Sequence, residues 1–332
     1  MISLRVRITC ILVSLAVSCT AHGAEKIKIL VAGIEKQIYL PAKLADELGY
    51  FKEQGLDIDL QSDTSGVSAV TEMLAGAAQG VVGYYEHALD LQAKGKAVTS
   101  IVQFGQTPGY VLVVAMRAAT EIKSPADLKG RTVGVNALGS SSEFMTRYLA
   151  STAGLANDQL DLLSVGSGNT FLAAMAQKRI DAGMTTEPTV SRLIITDMAR
   201  PLVDLRTAEQ TRKVLGSLYP SSCLYVSTAW LQGHRVEAQK LANALVKALR
   251  YIDAHNAAEI ADQVPKDYYA DDKNLYVKAL EQGKTMFTQD GIMPAGGPEL
   301  VLKVAHGFNP KLKDKVIDLS STYTTEFVSA AK

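Results

Sequence analysis

From Lys26 onward the hydrophobic and polar positions fall into a pattern that occurs twice. In "KIKILVAGIEKQIYLPAKLADELGYFKEQGLDIDLQ" an apolar alternating run is followed by a loop, an amphipathic helix, a stop at Gly49-Tyr50 and the alternating strand "LDIDLQ". "RTVGVNALGSSSEFMTRYLASTAGLANDQLDLLSV" repeats that order, with its stop at Gly154-Leu155 and its strand "LDLLSV". Each copy continues with a Gly/Ser loop, a helix centred on a methionine (Met73, Met175) and a short apolar strand: "SDTSGVSAVTEMLAGAAQGVVGYYEH" in the first, "GSGNTFLAAMAQKRIDAGMTTEP" in the second. Strands separated by helices of this length form parallel βαβ units, so the pattern predicts βαβαβ twice and hence two similar α/β lobes. Gly109–Met116 and Ser221–Trp230 are rich in Val, Leu and Tyr and are expected as extended crossovers, the chain leaving the first lobe and later returning. After Gly233 the chain turns helical: Ala238, Leu241, Ala242, Leu245, Val246 and Leu249 lie at helical spacing, on a tail expected to pack back on the first lobe. The expected division is 24–108 with 224–332 in lobe one and 109–223 in lobe two.

The N-terminus follows a different pattern. Arg5 and Arg7 precede the apolar run "ITCILVSLAV" and the small residues "SCTAHGA", the layout of a secretory signal peptide over residues 1–23. Cleavage after Gly23 fits a small-x-small site through Ala21 and Gly23. A lipidated Cys19 is the less favoured alternative, because Ala16 stands where a large aliphatic is usual. Both readings export the chain, and a periplasmic location is expected. Processing removes Cys10 and Cys19 and leaves Cys223 alone, so no internal disulfide is available. Cys223 is expected as a buried inert thiol. With 332 residues, 47% of them hydrophobic and 34 basic against 34 acidic, the chain has material for a large core and no basic patch for a nucleic acid.

In open α/β sheets ligands bind beyond the carboxyl ends of the strands, where helix N-termini also point. In lobe one that places Glu35, Lys36 and Gln37, then Thr64, Ser65 and Gly66, then Tyr84, Tyr85, Glu86 and His87 at one end. In lobe two it places Gly139, Ser140, Ser141 and Ser142, then Ser167, Gly168 and Asn169, then Thr185, Thr186 and Glu187 there. If the lobes face each other, these loops line one cleft of hydroxyls, amides and tyrosines, a composition suited to hydrogen-bonding capture of a small molecule. Tyr84 and Tyr85 alternate on a strand, so one is expected in the cleft and the other in the core. His87 lacks companions at metal-ligand spacing, so neither a metal nor a cofactor is expected. Ser140-x-x-Glu143 reads as a capping box, Ser140 at the N-cap and Glu143 reaching back, which leaves Ser141 to face the cleft. No G-x-S-x-G elbow, Walker loop, HExxH or G-x-G-x-x-G motif is present, so a binding role is expected over an enzymatic one.

The segments "LADELGYFKEQGLDIDL", "IKSPADLKGRTVGVNALGSSSEFMTRYLASTAGL" and "AMAQKRIDAGMTTEP" resemble the periplasmic substrate-binding proteins of ABC importers, in the sulfonate/taurine/nitrate branch that includes thiamine-precursor (NMT-type) binders. "SPADLKGRTVGV" leading into "GSSS" is the most specific of the three. The resemblance covers nearly all of the chain after the leader. It implies two Rossmann-like lobes of the periplasmic binding protein type II kind, joined by two hinge strands and closing on the ligand. It also implies a monomer that partners a membrane permease, and a Gly139–Ser141 loop against the ligand's anionic group. Relatives often add a basic side chain in the cleft; here the candidates are Lys36 and His87, beside Glu35, Glu86 and Glu187. A helix N-terminus supplies about 0.3–1 kcal/mol and a charge-assisted hydrogen bond about 1.5–3, against about −8 for micromolar affinity, so both lobes must contribute. A buried carboxylate facing an anion costs several kcal/mol. The expected ligand is therefore a small organic anion or zwitterion, sulfonate- or taurine-like or an aromatic carboxylate. The alternatives are a thiamine-precursor pyrimidine, or an enzyme or a sensor domain on the same fold.

Overall fold

The computed structural model describes residues 26–269, 272–308, 312 and 315–331; the leader expected over residues 1–23 lies outside them. Two five-stranded sheets organise the chain. The first contains β1 (Lys26–Val31), β2 (Asp57–Ser62), β3 (Gly80–Tyr84), β4 (Val98–Gln103) and, from far along the chain, β10 (Ser222–Ser227), in the order β2-β1-β3-β10-β4. The second contains β5 (Val111–Ala115), β6 (Thr132–Val135), β7 (Asp161–Ser164), β8 (Ala182–Thr185) and β9 (Ala199–Asp204), in the order β7-β6-β8-β5-β9. The sheets have one topology. β1 pairs in parallel with β2 and β3, as β6 does with β7 and β8. A single antiparallel strand is then inserted next to the third parallel one: β10 between β3 and β4, β5 between β8 and β9.

The helices follow from the repeat. α1 (Leu40–Glu47), α2 (Gly66–Leu74) and α3 (Glu86–Ala93) connect the strands of the first sheet, and α4 (Ser141–Thr152), α5 (Asn169–Ala176) and α6 (Thr189–Ile195) those of the second. α1 ends at Gly49 with φ +73° and α4 near Gly154 with φ +88°, left-handed positions that suit glycine and stop a helix. α7 (Ala208–Leu215) lies on the return crossover.

The two segments expected as crossovers are β-strands, each inside the sheet that it enters. "VLVVA" and "SCLYVS" are buried almost throughout, which is why they read as unbroken apolar runs. The backbone passing between the sheets precedes them, at residues 104–110 and 205–221. β5 shows the period of two: Leu112 and Val114 join the larger core cluster, while Val111, Val113 and Ala115 join a smaller one with Phe171, Ile180 and Leu193.

α8 (Arg235–Ala254) buries the six residues expected from its spacing and packs on α1. The end of the tail also lies on the first half, Thr322 to Thr324 running against Ser100 of β4, but one helix between departs from the expectation. After α9 (Lys273–Gly283), α10 (Gly297–Phe308) packs against α4 of the second half, where a Cβ on Gly307 would stand 3.2 Å from the Tyr148 ring. The tail also straps the outgoing crossover: the Gln106 amide donates to Met286 and its side-chain Nε2 to the carbonyls of Thr285 and Phe287. An amphipathic helix declares which face it buries, not which neighbour it meets.

Candidate functional site

The strand ends of the two sheets face each other. The Gln37 amide donates to the Glu187 carbonyl at 3.2 Å, Ser167 Oγ to Glu35 at 3.2 Å, and Asn136 Nδ2 to the Thr64 carbonyl at 3.4 Å. The His87 ring lies 6.2 Å from that of Phe144. Between them is a small cavity bordered by Lys36, Tyr110, Asn136, Ser142, Ser167, Thr185 and Thr186.

Lys36 is buried, and its Nζ donates to the Ala32 carbonyl at 2.7 Å. Burial pulls its ammonium down to about 8, opposed by the nearby Glu35 carboxylate. Gly33, at φ +95°, leaves the room that Lys36 needs: a Cβ there would meet Lys36 Cε at 2.7 Å. Gln37 is fully buried, its Nε2 bound to the Tyr276 carbonyl and its Oε1 without a partner. Glu86 opens α3. Burial raises its carboxyl from 4.5 to about 7, and a hydrogen bond with Ser141 from the facing lobe pulls the other way. Its Oε2 is buried without a partner, as is Oδ1 of Asn136. Ser141 also hydrogen-bonds Tyr110, so its hydroxyl stands between a carboxyl and a phenol.

The serine loop is held differently from the expected capping box. Ser140 occupies the N-cap position of α4 with extended backbone, but its side chain makes no cap bond. Its Oγ donates to the Ala137 carbonyl at 2.6 Å and lies 2.8 Å from Ser142 Oγ. Ser142 Oγ accepts from the Asn136 amide at 2.8 Å. Glu143 reaches back one residue too far for the box: it accepts from the Gly139 amide and pairs with Arg147 Nε at 2.7 Å. Gly139 sits at φ +82°, a bend that turns its amide onto Glu143 and leaves Ser140 to brace the loop.

Other expected residues are already engaged or point away. Tyr84 and Tyr85 are both buried: Tyr84 donates to the Pro108 carbonyl at 2.6 Å and Tyr85 pairs with Thr322. Neither hydroxyl is left for a ligand; Tyr84 ends β3, whereas Tyr85 lies past the strand with helical backbone, so alternation does not apply to the pair. Tyr110, which is not among the expected cleft residues, stacks on Tyr84 at 5.1 Å and borders the cavity in its place. Thr64 is exposed and bonds Asp63, while Ser65 caps α2 by accepting from Ser68 at 3.2 Å. Gly66 is needed for close approach, since a Cβ would lie 2.7 Å from His87 Nε2. His87 itself is buried, its imidazole lowered to about 4 by desolvation. Asn169 is exposed and accepts from Arg192. Glu187 is buried but bound on both oxygens, by Arg206 at 2.5 Å and by Ser191 through its amide and hydroxyl at 3.0 Å. Arg206 also holds Asp204 and Gln282. No signal near "TTEP" could have revealed it, because Arg206 stands nineteen residues on.

This arrangement of two mixed sheets around a polar seam is accompanied by a direct match. The family model described as NMT1/THI5 like aligns with residues 39–258. The chain belongs to the NMT1/THI5-like family. It is 28% identical over 251 residues to the 4-amino-5-hydroxymethyl-2-methylpyrimidine phosphate synthase of Aspergillus parasiticus, covering 73% of this chain and 71% of that one. A solved structure from Bordetella bronchiseptica RB50 superposes with a TM-score of 0.88 at 32% identity, covering 92% of this chain and 96% of that one. The periplasmic nitrate-binding protein NrtA of Synechocystis PCC 6803 shares the fold, with a TM-score of 0.72 at 10% identity over 92% of this chain and 88% of that one. The NMT1/THI5-like chain thus has the periplasmic binding protein fold expected from its serine loop and its repeat.

Proposed function

We propose that this protein is the extracytoplasmic solute-binding component of an ABC importer. It captures a small amino-bearing molecule, a zwitterion such as an amino-sulfonate or an amino-substituted heterocycle, by closure of the two lobes. The observation that carries the reading is Glu86: a buried carboxyl, raised to about 7, with one oxygen unpartnered opposite the Ser141 loop. An unpartnered buried acceptor is costly until a donor arrives. Asn136 Oδ1 is a second such acceptor, so the polar demand of the seam is for N–H groups. Lys36 suits an acidic or electron-rich end of the same molecule. A bare inorganic anion answers only the second half of this set. Residues from both lobes bind one solute, as hinge closure requires. A permease then takes the closed form, and the leader over residues 1–23 accounts for export.

Binding is favoured over catalysis by Cys223. It lies buried on β10 with its thiol pushed up to about 12 by desolvation, which suits packing rather than nucleophilic attack. The synthase name of the Aspergillus relative therefore supports an aminopyrimidine as one candidate solute more than it supports the reaction here.

The test is calorimetry at pH 7.5 with taurine, an aminopyrimidine, an unsubstituted alkanesulfonate and nitrate. An amino-bearing compound is expected to bind in the micromolar range, and Glu86→Gln to weaken it at least tenfold. Tight binding of nitrate or the plain sulfonate, unchanged in Glu86→Gln, would overturn the assignment.

A further inference from the structure

Beside the seam, and separate from the small cavity, lies a groove of about 1000 Å³. Its walls are α2 and α3 of the first half and α4 of the second, with Val67, Val70, Leu74, Leu91, Phe144 and Leu312 presenting apolar surface. Leu74 is 41% exposed on that wall, a large aliphatic left to solvent at the end of an otherwise well-packed helix. The volume is in the range of pockets for small organic ligands, and a two-walled concave shape suits such a ligand better than a flat protein face.

The charges on the rim indicate the sign of the occupant. Lys94 is paired with Asp90 at 2.6 Å and Arg147 with Glu143 at 2.7 Å. Lys96 and Lys315 also border the groove, exposed and without an ion pair among the described residues, against one exposed acid, Asp158. His87 closes the inner end and is neutral at pH 7, since burial lowers its imidazole to about 4.

We propose that this groove is a second ligand site, taking an amphipathic organic anion whose apolar body lies between α2, α3 and α4 and whose acid group reaches Lys96 and Lys315. The site goes beyond the cleft reading: it shares His87 and Gly139 with the expected cleft loops, but none of the residues bordering the small cavity borders the groove.

The probe is 8-anilinonaphthalene-1-sulfonate, titrated by fluorescence into the purified protein. One saturable equivalent is expected. Leu74→Asp and Lys96→Glu each weaken it at least fivefold, while Ile195→Asp, on an exposed residue of α6, and Lys36→Met, in the small cavity, leave it unchanged. The neutral analogue N-phenyl-1-naphthylamine binds at least fivefold more weakly. Absence of saturable binding overturns the proposal. So does loss of binding in Lys36→Met with none in Leu74→Asp, which would place the dye in the cleft. Equal affinity for the neutral analogue overturns the anionic assignment.

Discussion

At the scale of single residues, the burial of Glu86 and His87 governs the response to pH. Glu86 has a folded value of about 7 against 4.5, so the fold favours its protonated form. The stability from this preference is complete below 4.5 and is lost as pH rises through 7. The displacement corresponds to about 3 kcal/mol. His87, lowered from 6.5 to about 4, works the other way, its contribution present above 6.5 and lost as pH falls toward 4. Denaturant melts of Glu86→Gln should show the variant gaining about 3 kcal/mol on the wild type between pH 4.5 and pH 8, whereas a constant difference would mean that Glu86 is not desolvated. Ligand affinity should move oppositely, rising in the wild type from pH 6 to 7 as Glu86 ionises, whereas the variant should show no such rise and only a fall toward pH 8 as Lys36 loses its proton. At Ser141 the substitution to aspartate sets a second carboxylate against Glu86. Calorimetry should find affinity reduced at least tenfold, with circular dichroism unchanged. Ser141 was legible from the sequence because its neighbours look like a helix start. The unpartnered oxygens of Glu86 and Asn136 were not, since an acceptor's lack of a partner depends on every element around it.

The elements were predictable to the extent that their own periodicity defines them. The twin stops at Gly49 and Gly154, the alternating edge strands and the long apolar face of α8 all follow from local spacing. The cap of α4 did not follow. Ser140-x-x-Glu143 has the residues of a capping box, yet Gly139 adopts a left-handed bend that turns its own amide onto Glu143. At Gly33 a left-handed φ coincides with close packing under Lys36, so Gly33→Ala is strained twice. It should lower the melting temperature by several degrees, on the order of 1–3 kcal/mol, and should weaken ligand binding through displacement of Lys36. Retention of both wild-type stability and affinity would show that the loop accommodates a side chain freely.

For the whole molecule, the connections between halves matter most. Arg206, on the return crossover, ties Glu187 of the second half to Asp204 and to Gln282 of the tail. Removing one partner of a buried pair leaves the other charge uncompensated, at a cost of about 3–5 kcal/mol. Arg206→Ala should therefore lose stability on that order in denaturant melts. Arg206→Ala with Glu187→Gln should recover most of it; no recovery would place the loss in packing instead. On binding the solute, the radius of gyration measured by small-angle scattering should fall if the lobes close, and an unchanged value would count against closure.

The sequence by itself determined the two βαβαβ units, the serine loop at the start of α4 and the family, because each rests on spacings of a few residues or on a run of matched ones. Tertiary structure decided which polar groups of the seam remain available. Tyr84 is taken by Pro108, Glu187 by Arg206 and Asn169 by Arg192, while one oxygen of Asn136 and one of Glu86 are left at the junction. The physical reason is that a hydrogen bond is saturable. Once a partner nineteen or more residues distant has claimed a group, no local pattern records the claim.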